Sequence, residues 1–494
     1  MFRRTLLTGL ASTAGMPLSA QAQLSPDKAD DTTSPGFRRD VLIRWGDRVE
    51  FDSPPFTPDR PTRQAAAAQF GWDAVILGVA VLPAAADGIA RGLLAVAHPS
   101  AEGRMMFPGG LDRPDLAAAA QGASVLNMEQ RDGRFVVVDG GYQSRRLTAS
   151  TLCRLTGPAV SATGDAVQGV LAVQSGGFTP WGTLLLAEGD ARPWFARLPG
   201  SDPSLPNRGR EAAFGWMVEL NPFDPQSVPC KRTALGRFAR GGAVATVSAD
   251  GRAVVFMTDD RDAGFLFRFV SAQPGGGGED VLDNGVLSVA VPSGEGQIRF
   301  APLPGDSVSL TAALDTAQHL GAQAFDRPAG LAVGPQSSLL LACRGGLTDR
   351  HDLHAPNPHG QLVRFRPTGG DAAASVFLGE VVLPGGPRAG RQPWMSRPTA
   401  LAVDGGGGCW IATEASGLVH ADAGSFAVLR VYDPPVGAAM GGVAFTPDGA
   451  SVVTSVRHPG ATSDASFERP ATRWPTLRAD QPPQSTVITL SYLR

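Results

Sequence analysis

One unit recurs along this chain and limits what it can fold into: a short apolar run, a tight turn, then a second apolar run. Ala243–Val247 leads through Asp250-Gly251 into Ala253–Met257, and Gly330–Val333 leads through Gly334-Pro335 into Leu339–Cys343. Ala400–Val403 leads through Asp404–Gly408 into Cys409–Thr413, and Val443–Phe445 leads through Pro447-Asp448-Gly449 into Ser451–Val456. Asp-Gly between β-rich runs marks a hairpin, because both residues tolerate positive φ. Two of the units open alike, as Arg327-Pro328-Ala329-Gly330-Leu331-Ala332-Val333 and Arg397-Pro398-Thr399-Ala400-Leu401-Ala402-Val403. Self-similarity of this kind is what propeller blades leave in a sequence. A blade buries both its faces only against neighbouring blades, so the repeats imply one closed all-β architecture.

Composition agrees. The 61 glycines and 41 prolines among 494 residues suit many short strands joined by many turns. Hydrophobic residues make up 43% and charged residues 18%, which supports a large core and excludes a disordered chain. The units are spaced unevenly and more widely than the ~40–45 residues of a simple blade. Long loop insertions are therefore expected, and in a propeller these build the site on one face. Residues 60–69, rich in Ala and Gln, are expected to form one short helix.

The net charge of −3 gives no electrostatic footprint for nucleic acid. Beyond the N-terminus no apolar stretch is long enough to span a bilayer. Cys153, Cys230, Cys343 and Cys409 lie far apart with no C-x-x-C pair, which argues against a zinc cluster. One or two disulfides would suit an exported protein, and the spacing leaves their pairing open.

Residues 1–22 read as a signal peptide: Arg3-Arg4, a mildly apolar stretch from Leu6 to Leu18, and Ala20-Gln21-Ala22 as a cleavage site. The paired arginines beside Leu6-Leu7 suggest the twin-arginine route, with Phe2 departing from its usual pattern. Residues 23–36 are polar and contain proline, which predicts a flexible linker, and the propeller domain is expected to span 37–494. The protein is thus expected to be periplasmic or secreted, and monomeric.

Several blocks carry a family resemblance. Gly215-Trp216-Met217-Val218-Glu219-Leu220-Asn221-Pro222-Phe223-Asp224-Pro225-Gln226, continuing into Lys231-Arg232-Thr233-Ala234-Leu235-Gly236-Arg237-Phe238, resembles the signature of the PhoX family of secreted bacterial alkaline phosphatases. Leu42-Ile43-Arg44-Trp45-Gly46-Asp47, Thr179-Pro180-Trp181-Gly182-Thr183, Asp259-Asp260 and His458-Pro459-Gly460 agree and run in family order. The resemblance implies a six-bladed β-propeller with an iron–calcium centre that hydrolyses phosphomonoesters. Calcium and ferric iron take carboxylate oxygens, iron also takes a thiolate, and clustered cations neutralise and polarise a phosphate.

Against that pattern several ligand positions differ. Where the family has an iron-binding Cys, this chain has Gln174-Ser175-Gly176-Gly177; where it has Cys-Glu-Glu-Asn, this chain has Ala187-Glu188-Gly189-Asp190. A family His-Glu pair becomes Arg240-Gly241, Arg-Pro-Glu becomes Arg327-Pro328-Ala329, and Asn-His-Glu becomes Ala97-His98-Pro99. The resemblance implies that Arg327 keeps a phosphate contact and that Glu188, Asp259 and Asp260 are surviving candidate metal ligands; Glu414, which follows a strand-like run where propeller-site residues lie, joins them as a candidate. Iron is not expected without the thiolate, and calcium is the metal that carboxylates alone could keep. Each candidate also has a plainer role: a solvated turn for Asp259-Asp260, an ion pair for Arg327, Glu188 and Glu414, a structural His98, turn chemistry for Asn357, and core positions for Trp181 and Trp216. Ser175 has no local His or Asp to activate it.

Three functions stay open on these grounds. The first is a phosphatase-family protein with a degenerate site that binds a small phosphorylated or anionic ligand. The second is an active calcium-dependent phosphatase, and the third is a periplasmic scaffold for protein interaction.

Overall fold

Six hairpins supply the inner strands Val75–Val81, Val173–Phe178, Arg240–Val247, Pro328–Val333, Pro398–Val403 and Ala439–Phe445, and each pairs antiparallel with the strand that follows it. The computed structural model describes residues 29–493 apart from 112, 161–163, 198–210, 275–279, 347–356 and 388–393. Each inner strand packs beside the next, and Ala439–Phe445 packs back against Val75–Val81, so the ring closes. Six inner strands are the number a six-bladed propeller requires. By hydrogen bonding the described strands form five sheets. The reason is that Gln297–Pro302 pairs with Val376–Pro384 at the outer edge and fuses two blade-like units.

Alternation explains the near-continuous apolar runs. In Leu339–Cys343, Leu339 and Leu341 pack towards Val254 and Phe256 of the preceding unit, while Leu340 and Ala342 pack towards Leu401 and Ile411 of the following one. Successive side chains point to opposite faces of a strand, and here both faces are covered, so every position is apolar. Each neighbouring pair of units has its own buried cluster of this kind around the ring. Towards the axis the backbones crowd. A Cβ at Gly242 would lie 2.0 Å from the Ala329 carbonyl oxygen, and one at Gly330 would lie 2.6 Å from the Ala400 Cα.

The last unit is completed by the start of the chain: Phe37–Arg44 pairs antiparallel with Thr486–Tyr492. Residues 29–36, expected as the end of a flexible linker, are instead held. Thr32 and Thr33 pair with Asp433 and Tyr432, and Asp31 accepts a hydrogen bond from Trp474 Nε1 at 2.9 Å. The Val428–Asp433 strand is otherwise a bare sheet edge, and a short polar strand satisfies its backbone groups. Residues 1–28, with the expected signal peptide, lie outside the described residues. The expected short helix is present as Arg63–Ala68, capped by Thr62, whose hydroxyl accepts from Ala65 N. All four cysteines are buried thiols and none is joined in a disulfide.

Candidate functional site

Every inner strand breaks register close to its start, between Ile76 and Gly78, Val173 and Ser175, Arg240 and Gly242, Pro328 and Leu331, Pro398 and Ala400, and Met440 and Val443. Bulges of this kind re-aim side chains at barrel rims and beside active sites. Antiparallel pairing puts the start of each inner strand beside the end of the next strand, so both belong to the same end of the ring. At that end a cavity of about 320 Å³ is lined by residues from all six inner strands, with Asp260, Arg344, Glu414 and Arg457 as its charged groups. The connections that leave this end, residues 99–121, 189–216, 344–360 and 458–485, are the long insertions that the uneven spacing predicts.

All five sequence candidates lie at this end, but they do not share one centre. Glu188, fully buried, pairs with Lys231 Nζ at 2.7 Å and accepts from the N–H groups of Gly215 and Trp216 at 3.1 and 3.2 Å. Asp259, also buried, is taken up by Arg261 at 3.1 Å and by Phe265 N at 2.8 Å. Burial pushes its carboxyl above the usual carboxylate range, and Arg261 offsets that in part. Asp260 and Glu414 do come together, on either side of one guanidinium: Arg344 reaches Asp260 Oδ1 at 2.9 Å and Glu414 Oε1 at 3.4 Å. Arg397 Nε holds the second oxygen of Glu414 at 2.6 Å. Arg327 is off the cavity wall and pairs with the exposed Asp262 at 2.8 Å.

The remaining residues take structural roles. His98 lies buried between Asp73 O and Ser124 Oγ, at 2.6 and 2.7 Å. Burial, with Arg146 nearby, holds it well below the usual histidine value and hence neutral. Ser175 Oγ accepts from Ala243 N at 3.1 Å, a bond between two inner strands. Asn357 ties a turn through His359 N and Gly385 O, both at 2.9 Å. Trp216 is core, while Trp181 is half-buried and donates to Glu219 at 3.1 Å. Arg240 is fully buried, and four carbonyl oxygens, of Gly215, Leu235, Gly236 and Phe238, accept from its guanidinium. Burial lowers it to about 9. It brings positive charge to this end of the ring without facing the cavity.

Sequence reasoning missed Arg344, Arg397, Arg457 and Asp73. Asp73, fully buried, accepts from Arg457 Nε at 2.7 Å and faces His458 Nε2 at 3.0 Å. Burial alone would raise its carboxyl; Arg457 and His458 outweigh that and hold it well below the usual range. Arg397 carried a signal, since it repeats Arg327 in the duplicated Arg-Pro opening. Arg344 carried none, because Cys343-Arg344-Gly345 matches no motif.

The sequence profile described as alkaline phosphatase PhoX matches residues 20–460. The chain belongs to the PhoX family. Among solved structures, PhoX of Pseudomonas fluorescens in complex with vanadate, a transition state analogue, is similar with a TM-score of 0.82 and 24% sequence identity. That match covers 95% of this chain and 97% of the other, and at this identity it shows the fold. A gluconolactonase of Xanthomonas campestris matches with a TM-score of 0.33 and 10% identity over 85% of this chain and 97% of that one. No curated protein sequence matches. Relative to the PhoX pattern, this chain keeps the propeller-like frame and gives each candidate carboxylate a basic side chain as its partner. Among the described residues, no three of His, Cys, Asp and Glu converge where a metal could bind, and no helix is long and apolar enough to cross a membrane.

Proposed function

We propose that this chain is an exported, periplasmic or secreted PhoX-family protein whose polynuclear metal site is degenerate. It has weak or no phosphomonoesterase activity and keeps an arginine-rich mouth for a small phosphorylated or other anionic ligand. The observation that carries this reading is the pairing of Asp260 and Glu414 through Arg344. An iron–calcium centre needs several anionic ligands to offset the repulsion of its own cations. The residues present do not fit it: Glu188 is spent on Lys231, Asp259 on Arg261, and the position of the family thiolate falls on Ser175, whose hydroxyl holds the inner strands together. What supports an anionic ligand is the placement of Arg327 and Arg397, whose terminal nitrogens would lie 3.2 and 3.8 Å from a Cβ added at Gly346. A guanidinium pair can grip phosphate oxygens bidentately.

The test is metal analysis of protein purified from its native host, together with p-nitrophenyl phosphate hydrolysis with and without added calcium. Absence of iron and negligible turnover are expected. Stoichiometric iron, or clear calcium-dependent turnover abolished by chelator and by Asp259→Ala, would return the chain to the working phosphatases.

A further inference from the structure

We propose that Arg457 is an oxyanion-binding residue inside the cavity and that Asp73 is the residue that positions it. This rests on the anionic-ligand reading above and adds a contact to it, since Arg327 is off the cavity wall whereas Arg457 lines it. Arg457 ends the strand Ser451–Arg457 of the last unit, and Asp73 precedes Val75–Val81, the inner strand of the first. The two meet as a fork across the join of the ring: Nε donates to Oδ1 at 2.7 Å and Nη2 to Oδ2 at 2.8 Å. Asp73 is itself fixed. It is fully buried and also accepts from Ala74 N at 2.9 Å and from Ser100 Oγ at 2.7 Å, with His458 Nε2 at 3.0 Å. The stem of the arginine is seated as well: a Cβ added at Gly441, in the paired inner strand, would lie 2.6 Å from Arg457 Cδ.

The fork leaves part of the guanidinium over. A guanidinium carries five N–H donors, and Asp73 takes two of them. Nη1 has no hydrogen-bond partner among the described residues, and the side chain keeps 19% of its surface exposed. Nη1 and the second Nη2 hydrogen form an edge suited to two parallel bonds with the oxygens of one phosphate-type oxyanion. Glu414, the other acid that stabilises the charge of Arg457, does not take up that edge: its oxygens are held by Arg344 at 3.4 Å and by Arg397 at 2.6 Å. Closing the ring accounts for the fork but not for the free edge at the cavity.

The experiment uses the full mature chain as wild type, Asp73→Asn, Arg457→Gln and the double variant Asp73→Asn/Arg457→Gln, with Arg397→Gln for comparison. Inorganic phosphate and phenyl phosphate are titrated separately by calorimetry at fixed ionic strength. A free ion and an ester head present the same oxygens, and the tighter of the two names the source. Thermal melts check that each variant is folded. Arg457→Gln strands Asp73 as an unpaired buried carboxylate; if it does not fold, the double variant, which removes both charges, carries the test. The double variant is expected to bind at least about tenfold more weakly than wild type, the value of one charge-assisted contact. Asp73→Asn separates positioning from charge. Loss of a nearby negative charge by itself would tighten anion binding, whereas loss of the fork loosens Arg457, and several-fold weaker binding is expected. A double variant that binds as wild type does, while Arg397→Gln binds more weakly, would overturn the proposal and leave the anionic-ligand reading intact. Equal or tighter binding by Asp73→Asn would overturn the positioning role. A wild type that binds neither probe would overturn the proposal and that reading together.

Discussion

Arg327 and Arg397 occupy the same place in neighbouring sheets. Each precedes the proline that opens an inner strand, each has left-handed backbone with φ of 52° and 57°, and each sends its guanidinium towards Gly346. Left-handed backbone costs a non-glycine residue ~1–3 kcal/mol and persists where the surroundings fix it, often at ligand sites. Their carbonyl oxygens fix them here, accepting from Arg344 N and Glu414 N at 2.9 and 3.0 Å. If the pair grips an anion, inorganic phosphate should bind wild type in calorimetric titration. Arg327→Gln and Arg397→Gln should each weaken it about tenfold, the value of one charge-assisted contact. Unchanged binding in both variants would place the anion elsewhere.

Breaking the buried pair of Glu188 and Lys231 should be severe. Neither side chain touches solvent, and Lys231 also donates to Ala213 O at 3.0 Å. Lys231→Met leaves an uncompensated carboxylate in the interior, a change that typically costs ~3–5 kcal/mol. Urea unfolding should show that loss, and the double variant Glu188→Leu/Lys231→Met should recover much of it.

Acid should act through Asp73. Its folded value is depressed by Arg457 and His458, against the rise that burial alone would cause. A group depressed on folding contributes stability above its unfolded pKa, ~3.9, and that contribution is lost as pH falls towards the folded value. The stability gap between wild type and Asp73→Asn should therefore be full near neutrality and shrink below about pH 4. A gap that stays constant from pH 7 to pH 3 would show that the carboxylate charge is not what matters.

The thiols should be silent. Burial pushes Cys153 and Cys409 up to about 12, and Cys230 and Cys343 are buried too. Only a thiolate reacts readily. Ellman's reagent should titrate no thiol in the native protein and four after denaturation, and reductant should leave the melting temperature unchanged.

Much of the ring was legible because its signal is local. Asp250-Gly251 and Asp448-Gly449 announce their hairpins within a few residues, and the alternation in Leu339–Cys343 is explained by burial on both faces. What was not legible depends on distant partners. Nothing near Thr32 indicates that it will complete an edge beside Asp433, and polar composition there reads as linker. The candidate site divides the same way. Motif positions put Glu188, Asp259, Asp260, Glu414 and Arg327 at the correct end, but whether a carboxylate is free or spent is decided by residues such as Lys231 and Arg344, tens of positions away. Burial and pairing are properties of the folded ring, and one residue's type does not encode them.

The pairing of Phe37–Arg44 with Thr486–Tyr492 has a bearing on biosynthesis. Phe37–Arg44 is made long before Thr486–Tyr492, so the circle cannot be fastened until the later strand has been made. Until then, an unfinished sheet with exposed edges must be kept from joining other chains. Deleting either Phe37–Arg44 or Thr486–Tyr492 removes one half of the clasp, and the damage would then spread around the whole circle.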